Sequence, residues 1–165
     1  MKYYLGIDNG TSGTIALVDG DGVVSFFMET PVKIEQSYTK TKKNISRIDV
    51  VKLMEILSTY KDLDILAVIE RPLVNPKMFV TSMSAMRALE ATLCVLEHLK
   101  IGVRYEDSKA WQKDMLPSGV KGSPELKKAS MDIAVRLFPK WEDIIKKHGD
   151  GDALLIAEWA RRHNL

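Results

Sequence analysis

The chain has 165 residues, enough for one domain and too few for two ordinary ones. Its 24 Lys and Arg against 22 Asp and Glu leave a formal net charge of +2, which gives no global sign of nucleic-acid binding, and 45% hydrophobic residues argue against disorder. The single cysteine, Cys94, excludes an intrachain disulfide and a cysteine-based zinc site. Uninterrupted apolar runs are far shorter than the roughly 20 residues of a membrane span. We therefore expect one cytoplasmic domain over residues 1–165.

The chain opens with segments that are typical of strands, at residues 3–8, 13–19 and 23–30. Asn9-Gly10 ends the first, and an Asp-Gly-Asp-Gly sequence at 19–22 joins the second to the third. Because Asp-Gly supplies the positive φ that tight hairpins need, these segments predict an antiparallel meander.

Residues 31–46 are polar and have no clear period, so they are predicted to form a loop. Its lysines, Lys42 and Lys43 among them, have two interpretations. They are a solvated surface, which is the commoner case, or they contact nucleic-acid phosphates.

A helix is predicted over residues 46–60, with Ser46 as its N-cap. Asp64–Glu70 follows, and its centre is apolar at every position, as expected of a strand that is covered on both faces. A strand–helix–strand order implies a crossover to a parallel neighbour.

A long helix is predicted over residues 77–100, and its small and apolar second side fits either burial or a dimer contact. Its predicted core face consists of Phe79, Met83, Met86, Leu89, Leu93 and Leu96. The remaining predictions are a strand at 101–106, a basic loop or broken helix at 108–123, a helix at 124–138 capped by Ser123, and a last helix at 151–163. The order βββαβαβαα indicates an α/β fold, a mixed sheet with helices on both faces.

Three acidic residues stand at the ends of predicted buried elements: Asp8, Glu70 and Asp152. Each alone has a common structural explanation, namely a turn Asp, a salt-bridged Glu and an acid in the first turn of a helix. Brought together, the three would repel one another unless a cation lies among them. Oxygen ligands without cysteine favour Mg²⁺ or Mn²⁺.

A fourth ligand has two candidates close to the last helix. A regular helix would place His148 and Asp152 on one face, but Gly149 and Gly151 make a regular helix there improbable. Asp150 is then able to turn inward, and we prefer it to His148.

The segment at residues 6–14, Gly-Ile-Asp-Asn-Gly-Thr-Ser-Gly-Thr, resembles the first phosphate loop of sugar kinases of the actin and hexokinase superfamily. Such a loop can cradle phosphates. Those kinases need two lobes and far more chain, and Glu70 and Asp152 would have no clear role. An ATP-binding module is therefore the minor alternative.

Nearly the whole chain resembles RuvC-type Holliday junction resolvases, and particularly their short phage-borne relatives. The resemblance rests on Gly-Ile-Asp at 6–8, Ala-Val-Ile-Glu at 67–70 and Asp-Ala-Leu-Leu-Ile-Ala at 152–157. Trp-Gln-Lys at 111–113 and the lysines at 121, 127 and 128 give weaker support. It implies an RNase H-like, retroviral-integrase-like fold, in which a five-stranded sheet has three antiparallel strands followed by parallel ones.

The same resemblance implies a catalytic site with two Mg²⁺ or Mn²⁺ ions, held by Asp8, Glu70 and Asp152. The family's fourth ligand stands three residues before the last Asp, where this chain has Gly149. That departure leaves Asp150 or His148 to fill the position.

The resemblance further implies an enzyme that cuts four-way DNA junctions in the cytoplasm of a bacterium or a phage-infected host. Because a junction has two-fold symmetry and its resolution needs two nicks, we expect a homodimer, and the helix at 77–100 is the candidate interface. Lys113 and Lys121 are candidates for phosphate contacts, and they fit ordinary surface lysines equally well. An apolar side chain after Glu70 is expected to reach into the junction, and the candidates are Leu73, Met78 and Phe79. For Phe79 a place in the helix core is the stronger interpretation. A nuclease for flaps, forks or RNA–DNA hybrids would have the same carboxylates, and a non-catalytic scaffold or DNA-binding domain would keep the fold.

Overall fold

A computed structural model describes residues 1–37 and 40–165, so positions 38 and 39 of the predicted loop lie outside the described residues. Short 3₁₀ turns, at Pro76–Met78 and Pro139–Trp141, precede two of the helices. The strands are β1 (Lys2–Ile7), β2 (Thr14–Asp19), β3 (Val24–Glu29), β4 (Val32–Gln36), β5 (Asn44–Ile48), β6 (Asp64–Glu70) and β7 (Gly102–Glu106). The helices are α1 (Val50–Ser58), α2 (Phe79–His98), α3 (Ser108–Met115), α4 (Ser123–Leu137), α5 (Glu142–His148) and α6 (Asp152–Arg162).

The main sheet has five strands in the order β3-β2-β1-β6-β7. The first three form the predicted antiparallel meander, and β6 lies parallel to both β1 and β7. This arrangement confirms the predicted mixed sheet.

Helices cover both faces of the sheet. Side chains alternate along each strand, so successive strand residues belong to two different cores. One face carries Tyr4 and Val68, and its core includes residues of α3, α4, α5 and α6. The opposite face carries Leu5 and Ile69, and its core includes residues of α1 and α2. The centre of β6 is fully buried between the two layers, as its apolar sequence predicts.

Helix α6 lies unusually close to β1, and Gly6 makes this possible. A β-carbon at Gly6 would overlap the carbonyl oxygen of Ala153 and lie 2.7 Å from the backbone nitrogen of Ala157. All residues from 153 to 160 of this helix are buried. The close approach places the first turn of α6 near the carboxyl end of β1.

The predicted loop at 31–46 is wrong, because β4 and β5 form an antiparallel two-stranded sheet there. Glu35 makes an ion pair with Lys33 along β4 and another with Arg47 on the neighbouring strand β5. Most of its side chains are exposed, and the sequence therefore lacks the apolar alternation that identifies a half-buried strand.

Two predicted helix starts are also wrong. Ser46 lies in β5, and the N-cap of α1 is Asp49, whose side chain accepts a hydrogen bond from the Lys52 backbone N–H. Helix α4 begins at Ser123, after Gly122 with φ of 92°, and has no side-chain cap. Helix α5 is a further difference, since the sequence predicts no element between the end of the helix at 124–138 and residue 151.

The predicted core face of α2 is only partly correct. Leu89 and Leu96 are buried, but Phe79, Met83 and Met86 are exposed. The observed core face runs through Ser82, Ala88, Leu89, Thr92, Val95 and Leu96. It is rotated because small and polar side chains, rather than the larger ones, face the sheet in the first half of the helix.

The segment Pro76–His98, which combines α2 with the turn before it, is long and apolar enough by length and composition to cross a membrane. A core helix of a water-soluble protein meets the same criterion, so this is a weak indication. Here the second half of the helix packs against the sheet.

Candidate metal centre

Three carboxylates converge at the carboxyl end of β1. Ligand oxygens of Asp8, Asp150 and Asp152 all lie within 4.8 Å of one another. Asp8 follows β1 directly, and Asp152 begins α6, which the Gly6 contact holds against the same strand. We call these three residues the acidic group.

Glu70 is not one of these three residues, but it lies close enough to Asp8 for its charge to raise the pKa of that carboxyl. Ile7 is paired with Ile69 in the parallel β1–β6 ladder, so Asp8 and Glu70 leave the sheet at the same edge. The Glu70 Oε2 accepts a hydrogen bond of 2.8 Å from the indole Nε1 of Trp111 in α3.

The connection between α5 and α6 turns Asp150 inward. Gly149 ends α5 with φ of 77°, in the left-handed region that favours glycine. Asp150 is 4% exposed, and the Thr14 hydroxyl lies 3.4 Å from its Oδ1. As the two glycines predict, the described residues between α5 and α6 do not form a regular helix.

Asp152 is held by Ser130 of α4. The Ser130 hydroxyl donates to Asp152 Oδ1 and accepts from the Gly151 backbone N–H at 3.2 Å. Gly151 has no room for a side chain, since its β-carbon would overlap that of Ala134. The packing of α4 therefore fixes the position at which α6 begins.

Burial and mutual repulsion disfavour the charged forms of these carboxylates. Burial raises the pKa of Asp8 well above its usual value, and Asp152, Glu70 and Asp150 add to this, while Lys127 opposes it. Burial likewise raises the pKa of Asp152 to about 6, against the hydrogen bond from Ser130. The pKa of Glu70 is raised by burial, although Trp111 opposes the effect.

This donor set fits a divalent cation. It offers oxygen ligands from several carboxylates at short separation, the ligands that Mg²⁺ and Mn²⁺ prefer. A cation would relieve the repulsion that raises the pKa of Asp8 and Asp152. The structure thus brings together Asp8, Asp150 and Asp152 of the predicted ligands and places Glu70 next to them.

His148, the alternative fourth ligand, makes other contacts. Its Nδ1 lies 2.8 Å from Glu29 Oε1, and its ring meets the Phe27 ring edge-on at 5.4 Å between centroids. Of the two candidates, Asp150 is the one that the structure joins to Asp8 and Asp152.

The predicted DNA-contacting side chains lie on the surface. Lys42 and Lys43 precede β5, Lys113 is in the last turn of α3, and Lys121 precedes α4. Leu73, in the segment after Glu70, is 83% exposed. Phe79 is 67% exposed, so its predicted place in the helix core is wrong.

Four residues near the carboxylates were not assigned to the site from the sequence: Thr14, Trp111, Lys127 and Ser130. Trp111 and Lys127 stood only among the weaker marks of the resemblance. Ser130 is a serine within a helix, and nothing in its neighbours signals a contact with Asp152. Lys127, one turn before Ser130, carries a positive charge that opposes the rise in the pKa of both Asp8 and Asp152.

The sheet order, with an antiparallel meander followed by two parallel strands and helices on both faces, defines an RNase H-like fold. The structure is similar to that of Thermus thermophilus RuvC in complex with Holliday junction substrate, with a TM-score of 0.59, 12% identity, and coverage of 99% of this chain and 96% of that one. A second Thermus thermophilus RuvC structure gives a TM-score of 0.56, 13% identity, and coverage of 98% and 96%. At these identities the likeness shows the fold alone. No protein-family model matches the chain, and a search of curated proteins found no match.

Proposed function

We propose that this chain is a metal-dependent endonuclease that resolves four-way DNA junctions by paired symmetric nicks. The observation that carries the proposal is the acidic group, in which Asp150 is buried and Asp8 and Asp152 are half-buried, at the edge of an RNase H-like sheet with Glu70 close to Asp8. The likeness to a RuvC structure that holds a Holliday junction supports the choice of substrate.

In this proposal Asp8, Asp150, Asp152 and Glu70 hold two Mg²⁺ or Mn²⁺ ions. Bound ions of this kind supply an activated water and stabilise the charge on a leaving oxygen. The chain's own residues orient the site. Ser130 and Trp111 each donate a hydrogen bond to one carboxylate, and the charge of Lys127 acts electrostatically on Asp8 and Asp152.

DNA phosphates are proposed to contact the exposed lysines of α3, of the α3–α4 connection and of the segment just before β5. Lys113 lines a surface cavity of about 300 Å³ together with Lys109 and Gln112. The overall charge of +2 is low, so the binding surface depends on such local clusters. Leu73, three residues after Glu70, is exposed, which suits a side chain that inserts into the junction.

We also propose a homodimer, since a junction has two-fold symmetry and its resolution needs two nicks. The exposed apolar side chains of α2, Phe79, Val80, Met83 and Met86, support this helix as the interface. Phe79→Ser should shift the protein from dimer to monomer in sedimentation at micromolar concentration. A wild-type protein that is already monomeric there contradicts the proposed dimer.

The test of the substrate is a cleavage assay with Mg²⁺ or Mn²⁺ on labelled four-way junction, flap, RNA–DNA hybrid and plain duplex. Paired symmetric nicks in the junction alone are the expected result. Cleavage of the flap or hybrid with equal efficiency would assign a broader nuclease of the same fold. Nucleotide binding with no cleavage of any substrate would favour the kinase-like alternative.

A further inference from the structure

Two carboxylates of the site each accept a hydrogen bond from a neutral side chain on the helical layer formed by α3 and α4. Trp111 of α3 donates its indole N–H to Glu70, and Ser130 of α4 donates its hydroxyl to Asp152. Both donors are almost completely buried. Neither would itself coordinate a metal ion in this arrangement, because each presents a hydrogen atom to a carboxylate.

We infer that Trp111 and Ser130 are positioning residues that fix Glu70 and Asp152 in the orientation needed to bind divalent metal. The inference rests on the proposed function and concerns this chain's own residues. Without the indole N–H, Glu70 loses the hydrogen bond that fixes the orientation of its carboxylate. If a carboxylate becomes ordered only when the metal binds, the loss of its conformational entropy lowers the affinity for the metal. A carboxylate that is already oriented avoids this cost.

Ser130 acts on two neighbouring groups at once. Its oxygen accepts the Gly151 N–H while its hydrogen goes to Asp152, so a single hydroxyl contacts both the backbone just before α6 and the carboxylate of the first residue of α6. Ala134, one turn later, packs directly against Gly151, and the missing β-carbon of Gly151 is what permits this close approach. Lys127, one turn earlier, acts electrostatically on Asp8 and Asp152. One face of α4 therefore supports the acidic group.

The chain offers a matched control for each residue. Trp159 is another buried tryptophan, whose Nε1 donates to Asp114 at 2.9 Å, away from the acidic group. Ser82 is another buried serine with a bridging hydroxyl, which accepts from the Asn75 N–H at 3.0 Å and lies 3.1 Å from the Asn75 carbonyl. Trp159→Phe and Ser82→Ala remove the same chemical groups as Trp111→Phe and Ser130→Ala.

The test is a titration with Mn²⁺ in the absence of DNA, followed by the electron paramagnetic resonance signal of the free ion, with the full-length chain and the four variants. Trp111→Phe and Ser130→Ala should weaken Mn²⁺ binding about tenfold or more, a typical effect of losing a hydrogen-bond partner of a metal ligand. Trp159→Phe and Ser82→Ala should bind as the wild type does. Cleavage by the two site variants should recover at high Mn²⁺, which damage to the fold would not allow.

Wild-type affinity in folded Trp111→Phe and Ser130→Ala overturns the inference and leaves the proposed function standing. Equal weakening in the matched controls also overturns it, because the loss would then reflect packing. A wild-type chain that binds no Mn²⁺ overturns the proposed function itself. If Ser130→Ala does not fold, Trp111→Phe still decides the question.

Discussion

Replacing Asp152 by Asn should stabilise the metal-free protein at neutral and alkaline pH. Burial raises the pKa of Asp152 to about 6 from its usual 3.8. At about 1.4 kcal/mol per pKa unit, the folded protein loses ~3 kcal/mol of unfolding free energy from this group as the pH rises past both values. The free energy of unfolding falls as the pH rises, because the folded state binds the Asp152 proton more tightly than the unfolded state does. Asn remains neutral and avoids that loss.

Thermal unfolding in chelator at pH 8 measures the effect. For a chain of this length ~3 kcal/mol corresponds to a rise in Tm of roughly 6–12 °C, an upper value because Asn also changes the contact with Ser130. At pH 4 the difference should be much smaller. Asp132→Asn, which removes an exposed carboxylate of α4, is the control for net charge and should change Tm little. A folded Asp152→Asn protein that is less stable than wild type at pH 8 would refute the electrostatic account of the acidic group.

Mg²⁺ or Mn²⁺ should raise the Tm of the wild-type protein in a thermal shift titration. The rise should be larger at pH 8 than at pH 5, because the ligands must be deprotonated to bind the ion. An unchanged Tm at both pH values would contradict the metal site. Gly6→Ala should lower the free energy of unfolding by about 2 kcal/mol or more, measured in urea, because the new β-carbon overlaps α6. Gly102→Ala is the control, since its new β-carbon meets no atom closer than 3.8 Å and should leave the stability nearly unchanged. Equal effects of the two substitutions would contradict the close β1–α6 packing. Junction binding should weaken as salt increases, and Lys113→Gln should lessen the slope of log affinity against log salt by about 1 in a fluorescence anisotropy titration. Binding that does not depend on salt would refute a phosphate-led interface.

The main sheet could be predicted from the sequence because its signals are local. Asp-Gly at 19–20 and the apolar run in β6 determine a turn and a doubly covered strand, and the crossover rule then gives the parallel pairing. The two-stranded sheet of β4 and β5 could not be predicted, because its strands carry charged residues that form ion pairs, Lys33, Glu35 and Arg47, in place of alternating apolar ones.

The acidic residues could be predicted for a similar reason, since each stands at the end of an element whose burial is visible in the sequence. The choice of Asp150 over His148 followed from the glycines on either side, and the observed φ of Gly149 agrees with it. The partners of the carboxylates could not be predicted. Ser130 contacts Asp152 only because α4 packs across α6, a long-range arrangement without a local pattern.

The exposed first half of α2 shows where sequence periodicity misleads. Phe79, Met83 and Met86 have helical spacing and the chemistry of core residues, but they are exposed in the structure of the single chain. An apolar stripe identifies a helix face that avoids water. It does not distinguish a face that packs inside the chain from one that is free to pack against a second chain.

The most direct test of the central claim compares the wild-type chain with Asp8→Asn on a labelled four-way junction in Mg²⁺. The wild-type protein should introduce paired symmetric nicks, leaving a 5′ phosphate. Asp8→Asn should bind the junction with nearly unchanged affinity in a gel-shift assay and should not cut it. Cleavage by Asp8→Asn at the wild-type rate would contradict the assignment of the acidic group as the catalytic metal centre.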